Sequence, residues 1–147
     1  MIFQEVQGVR VPALGFGTYR LTGEECVRSV ADALALGYRH LDTAQSYDNE
    51  AEVGRGLRAA GVAREEVFLV SKVRPRHYAH GRAADSVRAS LDALGTGYVD
   101  LMLLHWPAEE AAVAAALEDL AELQREGLVR HVGVSNFPSA LVARAAQ

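Results

Sequence analysis

Strand-length apolar runs recur along this chain at a spacing that few folds can use. The runs "YRHLD", "VFLVSKV", "VDLMLLH" and "VRHVGVS" begin roughly 30 residues apart, the length of one strand–helix–strand unit. Their cores, Val67 to Val70 and Val99 to Leu104, are nearly unbroken apolar stretches. Parallel strands covered on both faces read this way, whereas an antiparallel sheet with one wet face would alternate. Helical segments fill the gaps. Thr22 followed by Glu25 makes a capping box ahead of a helix whose Val27, Val30, Ala31 and Leu34 share one face, and Gly37 stops it. Helices near Glu50 to Ala60, Arg82 to Leu94 and Glu109 to Arg125 end at Gly61, Gly95 and Gly127. A last one opens at Asn136 and Pro138. Ahead of them all, "FQEVQGVRVPALGFGT" turns at Gly8 and reads as a β-hairpin leading into a strand near Leu14 to Thr18.

About five β/α units result, with no linker or low-complexity tract, so residues 1–147 read as a single domain. Two α/β architectures accommodate them. An open doubly wound sheet would carry a Gly-rich phosphate turn after its first strand, and "GFGTYR" lacks the third glycine of that turn. A (β/α)₈ barrel needs about 250 residues and eight units, of which this chain would supply five.

Composition narrows the function. Net charge is −4 and no basic stripe interleaves with aromatics, which argues against nucleic acid as a partner. Cys26 is the only cysteine, so no internal disulfide forms, and a reducing cytoplasm suits it. The N-terminal "MIFQEVQGVRV" is not a signal peptide, and no stretch approaches the roughly 18 apolar residues of a membrane span. No metal site is expected.

Each apolar run gives way to polar residues. The second strand ends in Asp42, the third in Lys72, the fourth in His105 and Trp106, the fifth in Ser135 and Asn136. In barrels and open α/β sheets alike, chemistry sits at the C-terminal ends of strands. Each residue also has a plain structural reading. Asp42 could cap a helix, Lys72 could snorkel to water, and His105 could be a hydrogen-bonded core residue. Tyr47 could be a loop aromatic, Trp106 a packing residue, and Ser135 with Asn136 a helix cap. Cys26 reads as a small core residue. The functional reading accounts for all the rim positions together.

A lysine facing a partly dry rim needs a counter-charge, and Asp42 on the neighbouring strand is placed to give it. An ammonium beside Tyr47 favours the phenolate left after proton donation, which makes the phenol a general acid. His105 would orient a carbonyl oxygen or share the proton relay. A carbonyl that takes a proton at oxygen needs a nucleophile at carbon. No activated Ser or Cys is evident, so a nicotinamide hydride is the economical choice.

The stretch "GYRHLDTAQSYDNEAEVG", Gly37 to Gly54, satisfies every position of the first signature of the aldo-keto reductase family. "VSKV", "LLHWP" and "GVSNF" resemble that family's next strand ends, and the resemblance runs from the hairpin to "SNFPSALVARAA". It looks closest to the bacterial diketogluconate reductases. The resemblance implies a (β/α)₈ barrel and NADPH-dependent reduction of aldehydes or ketones to alcohols. It implies Tyr47 as proton donor, Lys72 and Asp42 as the pair that tunes it, and His105 as the residue that orients the carbonyl. Trp106 matches a wall of the substrate pocket, with Tyr19, Tyr47 and His105 also lining it. Gly17, Thr18, Tyr19, Asp42, Ser135 and Asn136 match positions around the cofactor. The family's strands six to eight, its nicotinamide-stacking aromatic, its 2′-phosphate loop and its C-terminal substrate loop have no counterpart here. The chain is thus expected to be the N-terminal portion of such a barrel, with open edges at its first and fifth strands that invite self-association. Two other readings stand beside the reductase: a non-catalytic nucleotide- or partner-binding half-barrel, and a lyase using Lys72 for a Schiff base.

Overall fold

The computed structural model describes residues 1–145. A hairpin comes first: β1 (Phe3–Val6) pairs antiparallel with β2 (Val9–Pro12). Its turn residues Gln7 and Gly8 both take positive φ, 49° and 79°. That backbone twist matches the twist of two paired strands, and glycine adopts it without steric cost. The hairpin forms its own two-stranded sheet.

The rest is one parallel sheet in the order β3-β4-β5-β6-β7: β3 (Phe16–Gly17), β4 (His40–Asp42), β5 (Phe68–Val73), β6 (Val99–Leu104) and β7 (Val129–Val134). Helices α1 (Gly23–Ala35), α2 (Glu50–Ala59), α3 (Arg82–Leu94) and α4 (Glu110–Arg125) make the crossovers, and α5 (Ser139–Ala145) follows β7. No helix among the described residues is long and apolar enough to cross a membrane.

Register decides which side chains share a face. Lys72 lies opposite Leu103, and Leu103 opposite Gly133. Asp42 lies opposite Val70, and Val70 opposite Leu101. Asp42, Val70, Lys72, Leu101, Leu103 and Gly133 therefore share one face, because side chains alternate along a strand. Leu41, Leu69, Val73, Met102 and Leu104 share the other and are buried under the helices with Val30, Val53, Leu91, Leu94 and Leu120. Coverage is unequal. The helix side is dry, while Leu101, Leu103, His131 and Gly133 on the opposite face are only half-buried. The expectation of strands covered on both faces is met on the helix side alone.

Two glycines set how closely the helices approach. A Cβ on Gly54 would fall inside the backbone of Leu94, so α2 can meet the end of α3 only without a side chain there. A Cβ on Gly56 would lie 2.7 Å from Val30 Cβ in α1. Asp119 of α4 joins the next pair. Its buried carboxylate accepts from the amides of Gly81, Ala83 and Ala84, which closes the N-terminus of α3 from a neighbouring helix.

Three local expectations shift. Thr22 occupies the N-cap of α1, but its hydroxyl makes no capping bond. Gly23 enters the helix at φ 54°, so the regular first turn that brings an amide to a cap hydroxyl is absent. The buried stripe of α1 is Cys26, Val30, Ala33 and Leu34, with Val27 and Ala31 only half-buried at its margin. The first parallel strand shortens to Phe16–Gly17, with Leu14 exposed.

Candidate active site

The strand ladder continues one residue past β3, β4, β6 and β7, onto Thr18, Thr43, His105 and Ser135, while Asp42 and Lys72 lie at the ends of β4 and β5 themselves. Thr18 N donates to Asp42 O (3.0 Å), Thr43 N to Val70 O (2.9 Å), His105 N to Val73 O (3.1 Å) and Ser135 N to Leu104 O (2.8 Å). These rim positions are thus held by sheet geometry.

Lys72 is the centre of the cluster. Its side chain is 7% exposed. Nζ donates to Asp42 Oδ1 at 2.5 Å, to Thr43 O at 2.9 Å and to Tyr47 Oη at 3.4 Å. Three hydrogens meet three oxygens, which is how a buried ammonium is made tolerable. Tyr47 reaches it from a 3₁₀ turn, Gln45–Tyr47, directly after β4. Asp48 then takes a left-handed φ of 54° and pairs with Arg74, turning the chain into α2.

His105 stands edge-on to Tyr47, ring centroids 5.7 Å apart, and stacks on Trp106 at 6.1 Å. Burial is the main reason its basicity falls below the usual imidazole value, and the Lys72 cation adds to it against the opposing pull of Asp42. The ring is therefore neutral at pH 7. Its Nδ1 is buried without a hydrogen-bond partner among the described residues. Tyr19 closes another side, its ring 5.1 Å from Tyr47. It is 62% exposed and Trp106 is 52% exposed, so two aromatics flank an open polar floor.

Asp42 and Tyr47, five residues apart, thus meet Lys72 and His105 from the ends of two later strands. Ser135 and Asn136 lie beside it. Asn136 takes φ 63°, and its Nδ2 donates to His105 O (2.9 Å) and to Ser135 Oγ (3.1 Å). Gly17 is exposed at the end of β3, opposite Asp42. Thr18 is fully buried and its hydroxyl donates back to Asp42 O (3.2 Å), so it shapes the loop rather than presenting a group to a ligand.

Several polar residues escaped the sequence reading. Asn49 and Gln45 are buried and fully bonded beneath the Tyr47 turn. Glu50, a specified position of the Gly37–Gly54 signature at the start of α2, accepts from Ser71 Oγ (2.6 Å) and Ser90 Oγ (3.0 Å). Burial raises the Glu50 carboxyl above its ordinary value, with the two serine bonds acting against that. Tyr78 is fully buried, donates to Trp106 O (2.8 Å) and accepts from Trp106 N (3.3 Å). Nothing in spacing or periodicity marks Tyr78. Asn49 and Gln45 lie within the Gly37–Gly54 signature, but as spacers between its specified positions.

The chain is a parallel α/β sheet with a polar rim at the C-terminal ends of its strands, where α/β enzymes place their chemistry. The chain belongs to the aldo/keto reductase family, whose family model matches residues 13–147. Methylglyoxal reductase DkgB of Escherichia coli O157:H7 is 42% identical over 137 residues, 92% of this chain and 51% of that protein. The 2,5-diketo-D-gluconic acid reductase B of Corynebacterium sp. (strain SHS752001) is 45% identical over 126 residues, 84% of this chain and 45% of that protein. An aldo/keto reductase crystal structure from Brucella melitensis superposes with a TM-score of 0.92 at 35% identity, covering 98% of this chain and 57% of that one. A Bombyx mori aldo-keto reductase crystallised in complex with NADP superposes at 0.88 with 28% identity, covering 99% and 53%. The chain therefore spans about half the length of the relatives it matches and has the fold of a partial barrel.

Proposed function

We propose that this chain carries the proton-donating half of an NADPH-dependent reduction of small aldehydes or ketones to alcohols. The observation that carries the reading is Lys72, whose ammonium bridges the Asp42 carboxylate and the Tyr47 phenol within hydrogen-bond reach. A phenol beside an ammonium gives up its proton more readily to a nearby oxygen, because the phenolate left behind is stabilised. Asp42 keeps Lys72 in place and balances its charge. The neutral His105 ring lies beside the phenol and donates a hydrogen bond to the carbonyl oxygen, which fixes the carbonyl over Tyr47. Trp106 and Tyr19 flank the substrate.

The residues present suit the nicotinamide end of the dinucleotide. Asn136 spends its Nδ2 internally, and its Oδ1 has no partner among the described residues, which leaves an acceptor for a carboxamide. Ser135 stands next to it, and the Gly17–Tyr19 loop lines the other side. When bound, the dinucleotide supplies a hydride to the carbonyl carbon. The names of the relatives suggest 2-oxoaldehydes and keto sugar acids as substrates. The buried, unpaired Cys26 accords with work in the cytoplasm.

Residues 1–147 correspond in this reading to the N-terminal portion of a (β/α)₈ barrel. A second reading, partner or nucleotide binding without turnover, draws on the half-buried inner face and the edge positions of β3 and β7. Schiff-base chemistry at Lys72 is disfavoured, because all three of its donor directions are taken. The test measures NADPH binding by fluorescence and turnover of methylglyoxal. Binding with turnover that Tyr47→Phe abolishes supports the reductase. Binding without turnover supports the second reading, and full turnover in Tyr47→Phe removes Tyr47 as the donor.

A further inference from the structure

Asn49 is 1% exposed and lies two residues past Tyr47. Every hydrogen-bonding group of its side chain is used. Nδ2 donates to Thr18 O (2.8 Å) and to Leu21 O (2.9 Å), and Oδ1 accepts from Thr43 Oγ1 (3.0 Å). The partners come from two different segments. Thr18 and Leu21 belong to the loop between β3 and α1. Thr43 is fully buried, and its own carbonyl accepts from Lys72 Nζ. One amide thus ties the β3–α1 loop to the residue that holds the buried ammonium.

We propose that Asn49 is a positioning residue that couples the Thr18–Leu21 loop to the Lys72 cluster. Its geometry stands by itself, and its consequence for ligand binding rests on the reductase reading above. That loop carries Tyr19, whose ring lies 5.1 Å from Tyr47. Without Asn49 the Leu21 carbonyl would lose its donor and the Thr18 carbonyl would keep only the Leu21 amide, and a buried polar group left unpaired is costly. No other side chain donates to either carbonyl among the described residues; Leu21 N bonds Thr18 O within the loop itself (3.1 Å). The loop's other ties are Thr18, bonded through amide and hydroxyl to Asp42 O, and the Leu21 side chain, packed against the core. Asn49 and Asp42 therefore grip the loop from two sides. Without Asn49 the segment holding Tyr19 keeps its backbone bonds at Thr18 and the apolar packing of Leu21, and the gap between Tyr19 and Tyr47 loosens.

The decisive experiment reads hydrogen exchange of the Thr18 and Leu21 amides relative to amides of β5 and β6, with NADPH affinity measured on the same proteins. Asn49→Ala is expected to speed loop exchange about tenfold beyond any change in β5 and β6, and to weaken NADPH binding about tenfold, the factor for one lost buried hydrogen bond. Thr43→Val, which loses the hydroxyl, changes both in the same direction, and Thr43→Ser, which keeps it, restores both. In Asn49→Asp the carboxylate faces two carbonyl oxygens, so loop protection is worst at neutral pH and recovers as the pH falls and one hydroxyl donor returns. Equal acceleration of loop and strand amides in Asn49→Ala would assign Asn49 to general stability and overturn the proposal. So would a Thr43→Ser protein that behaves like Thr43→Val. If the unmutated protein binds no NADPH, the reductase reading falls alone, and the exchange ratios still decide the coupling.

Discussion

Lys72 Nζ and Tyr47 Oη lie 3.4 Å apart, the longest of the three contacts that the ammonium makes. Lys72 comes from β5 and Tyr47 from the 3₁₀ turn after β4, so the β4–β5 register and that turn together bring them into reach. A long contact at rest leaves room to tighten as negative charge grows on the phenol oxygen. Lys72→Met should therefore lower turnover by about 10²- to 10⁴-fold, the usual worth of a tuned general acid. NADPH affinity should change far less. Steady-state kinetics with a fluorescence titration separates the two, and unchanged turnover would sever the pair.

The neutral state of His105 predicts a pH effect on stability. Its folded-state basicity lies below the ordinary imidazole value of 6.5, so the unfolded chain binds a proton first as pH falls. His77 shifts the same way through burial and its neighbours Arg76, Arg74 and Arg82. Stability attributable to both is complete at neutral pH and is lost as pH drops below about 6.5, until the folded groups also protonate. A His105→Gln variant should show a shallower loss of thermal midpoint between pH 7 and 5 than the parent. An identical slope would mean that the ring is charged or exposed in solution.

Glu50 acts in the opposite direction. Its folded carboxyl is raised above the ordinary value of 4.5, so the folded chain holds the proton longer and loses stability as pH rises through that range. Glu50→Gln removes this slope and, by keeping the oxygen and bulk beside Ser71 and Ser90, should cost under about 1 kcal/mol at pH 7. Glu50→Ala leaves the buried Ser71 hydroxyl without its acceptor, while Ser90 keeps the Ser86 carbonyl, and should cost about 1–3 kcal/mol. Urea unfolding at several pH values distinguishes the variants, and equal losses would show that the carboxyl does not matter.

Gly54 tests packing rather than chemistry. An alanine there would drive its methyl into the Leu94 backbone, and overpacking of this kind costs about 1–3 kcal/mol. The same change at exposed Gly97, where an added Cβ meets nothing within 4 Å, is the control. Comparable midpoints in urea for the two variants would mean that α2 and α3 leave room for a methyl between them.

Tyr78→Phe removes the one hydroxyl that both donates to and accepts from the backbone of Trp106. Trp106 is the only tryptophan, so its emission reports the change directly. A stability loss of about 1 kcal/mol is expected, with a shifted Trp106 emission and a raised KM for substrate. An unchanged spectrum would show that Trp106 is held by its stacking on His105 alone.

Much of this molecule can be read from the chain. The repeat of apolar run, helix and glycine foretells five parallel units, since strand and helix periods are local properties of neighbouring residues. The residues after each run foretell the rim, because the end of a strand is marked where its apolar pattern stops. Asp42, Lys72 and His105 could be named for that reason; the Gly37–Gly54 signature marks Asp42 a second time, while Tyr47 falls among its spacers and is named from the chemistry a neighbouring ammonium allows and from the family resemblance. What the sequence could not carry is everything set by distance across the fold. The Thr43 carbonyl that completes the shell of the Lys72 ammonium, the single amide of Asn49 that spans two segments, and the carboxylate of Asp119 that caps a helix of another unit have no local pattern. They exist because close packing leaves buried polar groups only each other as partners, and only the folded chain decides which groups those are.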